Sequence, residues 1–226
     1  MIYFDKVSKT YPNDTVALSN VTFTIKPKEF VSIVGHSGAG KSTLIKMILG
    51  EEKPSEGAVY FESVNIHNLH KKDITDYRRR VGTVFQDFRL LPNLTVYENI
   101  AFAMEACGRD DDEIAADVPY VLELVGLSKK MSNFPHQLSG GEKQRVAIAR
   151  AIVNQPDVVI ADEPTGNLDP VSTYDIIQIL KKINDLGTTV ILTTHNKGVV
   201  DSLKTRVLTM EGGKVARDDK DGKYAI

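Results

Sequence analysis

Residues 35–42 read Gly35-His36-Ser37-Gly38-Ala39-Gly40-Lys41-Ser42 and match the pattern G-x-x-x-x-G-K-[ST]. Each fixed position has a physical reason. Glycines let the main chain wind closely round a phosphate with its N–H groups turned inward. A helix that starts there adds the positive end of its dipole. Lys41 can reach the β- and γ-phosphates, and the hydroxyl of Ser42, with Thr43 beside it, can help hold Mg²⁺. His36 stands at a free position of the pattern and reads as a spacer whose backbone, not its ring, lines the loop. The four fixed positions arise by chance in roughly one random chain in a hundred, so context decides. Here the apolar run Phe30 to Val34 precedes the first glycine, and residues 41–49 (KSTLIKMIL) carry a helical pattern.

Outward from this loop, strand and helix patterns alternate. Ile2 to Val7 and Val21 to Ile25 read as half-buried strands, Val59, Phe61 and Val64 as edge strand, and Val81 to Phe85 as an apolar strand. Residues 96–126 read as helices, one starting near Asp110-Asp111-Asp112, where acids favour the helix dipole. A helix over 141–154 stops before Pro156. Val158 to Ala161, Thr188 to Thr193 and residues 205–210 read as strands, and 172–186 as a helix. The alternation predicts an α/β fold with a largely parallel sheet, with helices over roughly 87–157 inserted between core strands. The tail from Gly212 to Ile226 is charged, weakly patterned and reads as solvated.

Two further segments carry chemistry. Val158-Val159-Ile160-Ala161-Asp162-Glu163 is an apolar strand ending in acids. Strand ends are where open α/β sheets bind ligands. Asp162 is placed to organise Mg²⁺ through its water shell, and Glu163 to polarise an attacking water. In Leu138-Ser139-Gly140-Gly141-Glu142-Lys143-Gln144, Ser139 reads as an N-cap, and two glycines let a helix N-terminus approach an anion closely.

In their order, these segments resemble the ATP-binding cassette (ABC) family over roughly residues 1–215. Leu138 to Glu142 is similar to the family signature LSGGQ, with Glu142 in the last place. Gln86 resembles the Q-loop glutamine, Asn167-Leu168-Asp169 the D-loop and His195 the switch histidine. Tyr11 stands where an aromatic stacks on adenine. The resemblance implies a P-loop NTPase cassette with a RecA-like core, an antiparallel β subdomain and an inserted α-helical subdomain. It also implies a single ATP-binding domain over 1–226, with core and β subdomain at 1–86 and 158–226 and helices at 87–157. The implied activity is Mg²⁺-dependent hydrolysis of ATP. Glu163, His195 and Gln86 would be catalytic, and Ser42, Gln86 and Asp162 would hold the metal. Tyr11, residues 35–43 and Ser139, Gly140, Gly141 and Glu142 would hold nucleotide. The signature is implied to meet the ATP of a second copy in a head-to-tail homodimer.

The finer resemblance is to the FtsE-type branch, carried by Phe85-Gln86-Asp87-Phe88-Arg89-Leu90-Leu91-Pro92, Thr95 to Ala101, Ala161 to Pro170 and Thr194-His195-Asn196. Arg89 and Glu142 distinguish it from the lipoprotein-release and macrolide-efflux ATPases, which are the alternative. The branch implies cell division, a polytopic membrane partner of the FtsX type and activation of cell-wall hydrolases. It also implies a peripheral place on the cytoplasmic side of the membrane. Leu90, Leu91, Leu94 and Val96 are then candidate apolar contacts for the partner, or else simple core.

Composition sets bounds consistent with this. The chain is 42% hydrophobic and 26% charged with a net charge of −2, which gives no signal for nucleic acid. Cys107 is the single cysteine, so no intrachain disulfide forms. No stretch approaches the roughly 18 apolar residues of a membrane span, and Met1 to Lys9 does not read as a signal peptide. The basic run Arg78-Arg79-Arg80 reads as a solvated helix face.

Overall fold

The computed structural model describes residues 1–220 and Gly222. In chain order come β1 (Ile2–Thr10), β2 (Val16–Ile25), β3 (Phe30–Val34), α1 (Lys41–Ile48), β4 (Glu56–Phe61), β5 (Val64–Asn65), α2 (Lys71–Arg79) and β6 (Val81–Phe85). The helices α3 (Val96–Glu105), α4 (Asp111–Leu124) and α5 (Gly140–Ile152) follow. The chain closes with β7 (Val158–Asp162), α6 (Pro170–Asp185), β8 (Thr189–Thr193), α7 (Lys197–Leu203), β9 (Arg206–Glu211) and β10 (Lys214–Asp219). They form two compact units, one of residues 1–78 with those from 189 on, the other of residues 79–188.

In the first unit an antiparallel sheet runs in the order β2-β1-β4-β5. Alternation along β1 turns Ile2 and Phe4 inward, and Phe4 stacks on Phe23 of β2 with ring centroids 4.6 Å apart. β1 runs past Val7 to Thr10 through register shifts, with Lys6 at φ 48°, which is why simple alternation ends early. The second set of strands is centred on β3, whose five residues are all buried. It pairs in parallel with β8 (Phe30↔Val190) and β9 (Val34↔Thr209), as continuous apolar strands do. Val34, Val200 and Val207 close a core cluster against α7.

The second unit pairs β6 and β7 in parallel from Val81↔Val158 to Phe85↔Asp162. That register ends both strands at one level, so Gln86 and Glu163 leave the pair side by side. The helices of this unit start on side-chain caps. Thr95 with Glu98, Asp110 with Glu113 and Ser139 with Glu142 form reciprocal capping boxes at α3, α4 and α5, and Asp169 caps α6 ahead of Pro170. Among the described residues no helix is long and apolar enough to cross a membrane.

Several elements depart from expectation. α2 is a helix with only Tyr77 buried, and its charged sequence hides the periodicity. The basic run is not a merely solvated face. Arg78 donates to the carbonyls of Leu49 (3.1 Å) and Gly50 (3.3 Å), and Arg80 pairs with Asp157 at 2.6 Å. β10 occupies the stretch that reads as tail. It is mostly exposed and held by pairing with β9 and by the two-pronged contact of Arg206 with Asp218 at 2.7 Å. The far end of that tail, Asp221 and Lys223 to Ile226, lies outside the described residues.

Candidate active site

The first unit holds the glycine-rich loop between β3 and α1. Gly35, Gly38 and Gly40 have φ of 156°, 80° and 103°. A Cβ on Gly35 would lie 2.4 Å from the Met210 carbonyl oxygen, and one on Gly40 would lie 2.6 Å from that of Ala17. Gly40 is thus required twice, by conformation and by the close approach of another strand. Lys41 folds back over the loop, donating to the carbonyls of Gly35 (2.7 Å) and His36 (3.2 Å). His36, Ser37 and Gly38 are exposed, Ala39 is buried and Ser42 faces solvent.

α1 contrasts with α3, α4, α5 and α6. Its N-cap is Gly40, with no side-chain cap and no acid in the first turn. Its leading N–H groups are therefore left to bind something other than their own chain, and the positive helix end is not neutralised. That donor set fits a phosphate. Beside it, the Tyr11 hydroxyl lies 3.4 Å from Thr43 Oγ1, and the Lys9 ammonium sits 5.1 Å from the centre of the Tyr11 ring. His195 is exposed just beyond β8, ahead of Asn196, which caps α7.

The second unit holds the remaining candidates. Glu163 follows β7 with φ 49°, a left-handed conformation unusual for a residue with a side chain and costing about 1–3 kcal/mol. Its carbonyl accepts from Gly166 N–H at 3.1 Å, closing a turn. Gln86 lies against that turn. Its amide donates to Asn167 at 3.2 Å, and a Cβ on Gly166 would come 2.8 Å from Gln86 Nε2. Asp162 is half-buried at the strand end.

At the start of α5, Ser139 and Gly140 are exposed while Gly141 is buried, where a Cβ would meet Ser172 Oγ at 2.6 Å. Glu142 accepts from the Ser139 N–H at 2.8 Å and pairs with Lys130 at 3.4 Å. Those contacts, the Ser139 N–H first, hold its carboxyl below the usual range. Asp169 is lowered likewise, chiefly by the Ser172 hydroxyl. The Glu142 carboxylate is thus engaged in building the helix end, and Ser139 and Gly140 are the groups it presents.

Three residues that hold this region escape sequence reading. Asn99 is fully buried, accepting from Leu91 N–H (2.8 Å) and donating to the carbonyls of Leu91, Leu94 and Thr95. Gln144 of α5 donates to the carbonyl of Phe85 at the end of β6, and Arg150 to those of Phe88 and Arg89 just after it. A polar residue on the apolar stripe of a helix is the one signal that could have found them. Of the candidate partner contacts, Val96 is fully buried core, while Leu90, Leu91 and Leu94 are half-buried.

Residues 18–166 match the family model described as ABC transporter. The cell division ATP-binding protein FtsE of Bacillus subtilis is 52% identical over 224 residues, covering 99% of this chain and 98% of that protein. The chain belongs to the ABC transporter family. This cassette is also 46% identical to FtsE of Mycobacterium tuberculosis, over 100% of this chain and 99% of that one. Among solved structures, the ATP-binding cassette MJ0796, a dimer in a post-hydrolysis state bound to ADP and Pi, aligns with a TM-score of 0.88 at 37% identity. It covers 99% of this chain and all of that one. The cassette cbiO1 of Clostridium perfringens aligns at 0.90 and 33% identity, over 97% and 88% of the two chains. This cassette is thus an FtsE-type ATPase subunit with the α/β cassette fold anticipated from its motifs.

Proposed function

We propose that ATP binds with its phosphates in the 35–43 loop, and that the uncapped N-terminus of α1 is the observation carrying this reading. The loop N–H groups and Lys41 hold the β- and γ-phosphates, and Tyr11 stacks on adenine. By the family resemblance, a cation would be held by the Ser42 hydroxyl, the Asp162 carboxylate and the Gln86 amide oxygen. Hard oxygens of this kind suit Mg²⁺. Bound there, Mg²⁺ would neutralise charge on the phosphates.

Glu163 takes a proton from water as the water oxygen attacks the γ-phosphorus. The bond from that phosphorus to the bridging oxygen breaks, and ADP leaves with the electron pair. His195 contacts the γ-phosphate. A second copy, head to tail, presents Ser139 and Gly140 to the same phosphate, with Gly141 and Glu142 shaping its helix end. The copies close on ATP and separate after hydrolysis. The core and β subdomain (1–86 and 158–226) carry the nucleotide, and residues 87–157 are the helical subdomain.

The relatives named as cell division proteins support a role in division. The cassette sits peripherally on the cytoplasmic face of the membrane, docked on a polytopic partner of the FtsX type. Its ATP cycle drives activation of cell-wall hydrolases. Glu163→Gln tests both parts. The variant retains ATP, loses about 10²-fold or more of its turnover and forms a stable ATP-dependent dimer in size-exclusion chromatography. Tagged in its own cell and extracted in mild detergent, it brings down a polytopic membrane protein together with hydrolase factors. Near-native turnover would remove Glu163 as the base. A solute permease in place of the division partner would move the cassette to transport.

A further inference from the structure

The segment following β6 adopts a conformation its sequence does not favour. Phe88 and Arg89 have φ of 59° and 48°, two successive left-handed residues, neither of them glycine. Within the segment the Phe88 N–H reaches the Phe85 carbonyl at 3.4 Å and the Arg89 guanidinium lies 3.6 Å from the centre of the Phe85 ring, and α5 adds a hold from outside. The Arg150 guanidinium, on the last turn of α5, donates to the Arg89 carbonyl at 2.7 Å and to the Phe88 carbonyl at 3.1 Å. Six residues earlier on the same helix, buried Gln144 donates to the Phe85 carbonyl at 3.3 Å. A planar fork can hold two carbonyls at once, which a single ammonium cannot do with the same geometry.

We propose that Arg150 is a positioning residue for ATP hydrolysis. By holding both carbonyls it fixes the left-handed turn at Phe88 and Arg89, and so sets Gln86 against the turn that carries Glu163. The second half of that chain of contacts is the Gln86 bond to Asn167 and its packing on Gly166, whose N–H closes on the Glu163 carbonyl. α5 is also capped by Ser139, so one helix joins the exposed signature end to the clamp. The inference rests on the reading that Glu163 and Gln86 serve hydrolysis.

The test is steady-state Mg-ATP turnover of the full chain and its variants, with thermal melting of each. Arg150→Met lowers kcat about tenfold or more while the KM for ATP stays within about twofold, since the charged hydrogen bonds lost hold the Phe88–Arg89 turn and Arg150 is not one of the nucleotide-binding residues. Arg150→Lys, which keeps the charge and one donor, falls between. Adding Arg89→Gly to Arg150→Met restores kcat several-fold, because glycine takes a positive φ without a steric cost. Asn154→Ala is the structural control. It deletes a comparable side-chain bond near the same end of α5, Asn154 to the Ala103 carbonyl at 2.9 Å, and lowers the melting temperature without lowering kcat.

Native kcat in Arg150→Met overturns the proposal, as does a loss that Arg89→Gly leaves unrestored. Should Arg150→Met fail to fold, Arg150→Lys decides: a kcat no lower than that of Asn154→Ala overturns the proposal. Gln86→Ala separates this inference from the reading beneath it. A slow Gln86→Ala with a fast Arg150→Met strikes Arg150 alone, and a fast Gln86→Ala strikes the route through Gln86.

Discussion

Replacing Asn99 by alanine should cost the cassette about 3 kcal/mol. The side chain is fully buried at the second turn of α3 and ties down the stretch from Leu91 to Thr95. Its oxygen accepts from Leu91 N–H at 2.8 Å. Its nitrogen donates to the carbonyls of Leu91 (3.0 Å), Leu94 (3.0 Å) and Thr95 (2.9 Å). A net hydrogen bond is worth about 0.5–1.5 kcal/mol, and a donor left buried without a partner costs about 1–3 kcal/mol. The amide nitrogen has two hydrogens to share among the three carbonyls, so the side chain makes three bonds' worth, about 1.5–4.5 kcal/mol. Leu91, Leu94 and Thr95 are only half-buried, their carbonyls recover water, and the loss settles near the middle of that span. For a domain of this size the shift in Tm is about 2–4 °C per kcal/mol, or about 6–12 °C here. Asn99→Asp should be worse, since it keeps the acceptor, loses the donor and sets a charge against three carbonyls. Urea unfolding followed by circular dichroism measures both, with an unchanged m-value marking a change in stability alone. A loss below about 1 kcal/mol, or an aspartate variant as stable as the native chain, would refute the reasoning.

Gly40→Ala should abolish tight ATP binding. A Cβ there would sit 2.6 Å from the Ala17 carbonyl at φ 103°, so the loop must reshape, and titration calorimetry with ATP would show it; native affinity would contradict the geometry. Glu142→Gln should cost about 0.5–1 kcal/mol at neutral pH. The folded carboxyl is held below its ordinary 4.5, so the difference from the native chain is present above 4.5 and vanishes as pH falls through the lower folded value. A difference that grew in acid, by urea unfolding across pH, would contradict it.

The parts legible in the sequence are those where chemistry restricts residue choice. Gly35, Gly40 and Lys41 are readable because a wound loop admits no Cβ at the glycines and needs one cation. Asp162 and Glu163 are readable because carboxylates end an otherwise apolar strand. Ser139 is readable as a cap because a hydroxyl before two glycines has few other uses. α2 and β10 are not readable, since each buries almost nothing and is held by contacts remote in the chain, such as Arg206 with Asp218. Arg150 and Gln144 are hidden for the opposite reason. They sit on a helix whose other inward positions are apolar, and their partners are main-chain carbonyls that could belong to any residue.

In the proposed dimer the ATP of one copy meets the signature of another. In a Cys107→Ala, Glu163→Gln background, Ser37→Cys is placed in one tagged chain and Ser139→Cys in a second with a different tag, and a short thiol cross-linker is added. The account expects a cross-link between the two chains that forms with Mg-ATP and not with ADP. Equal cross-linking without ATP, or none with it, would contradict the account, as would a cross-link within a chain carrying both cysteines.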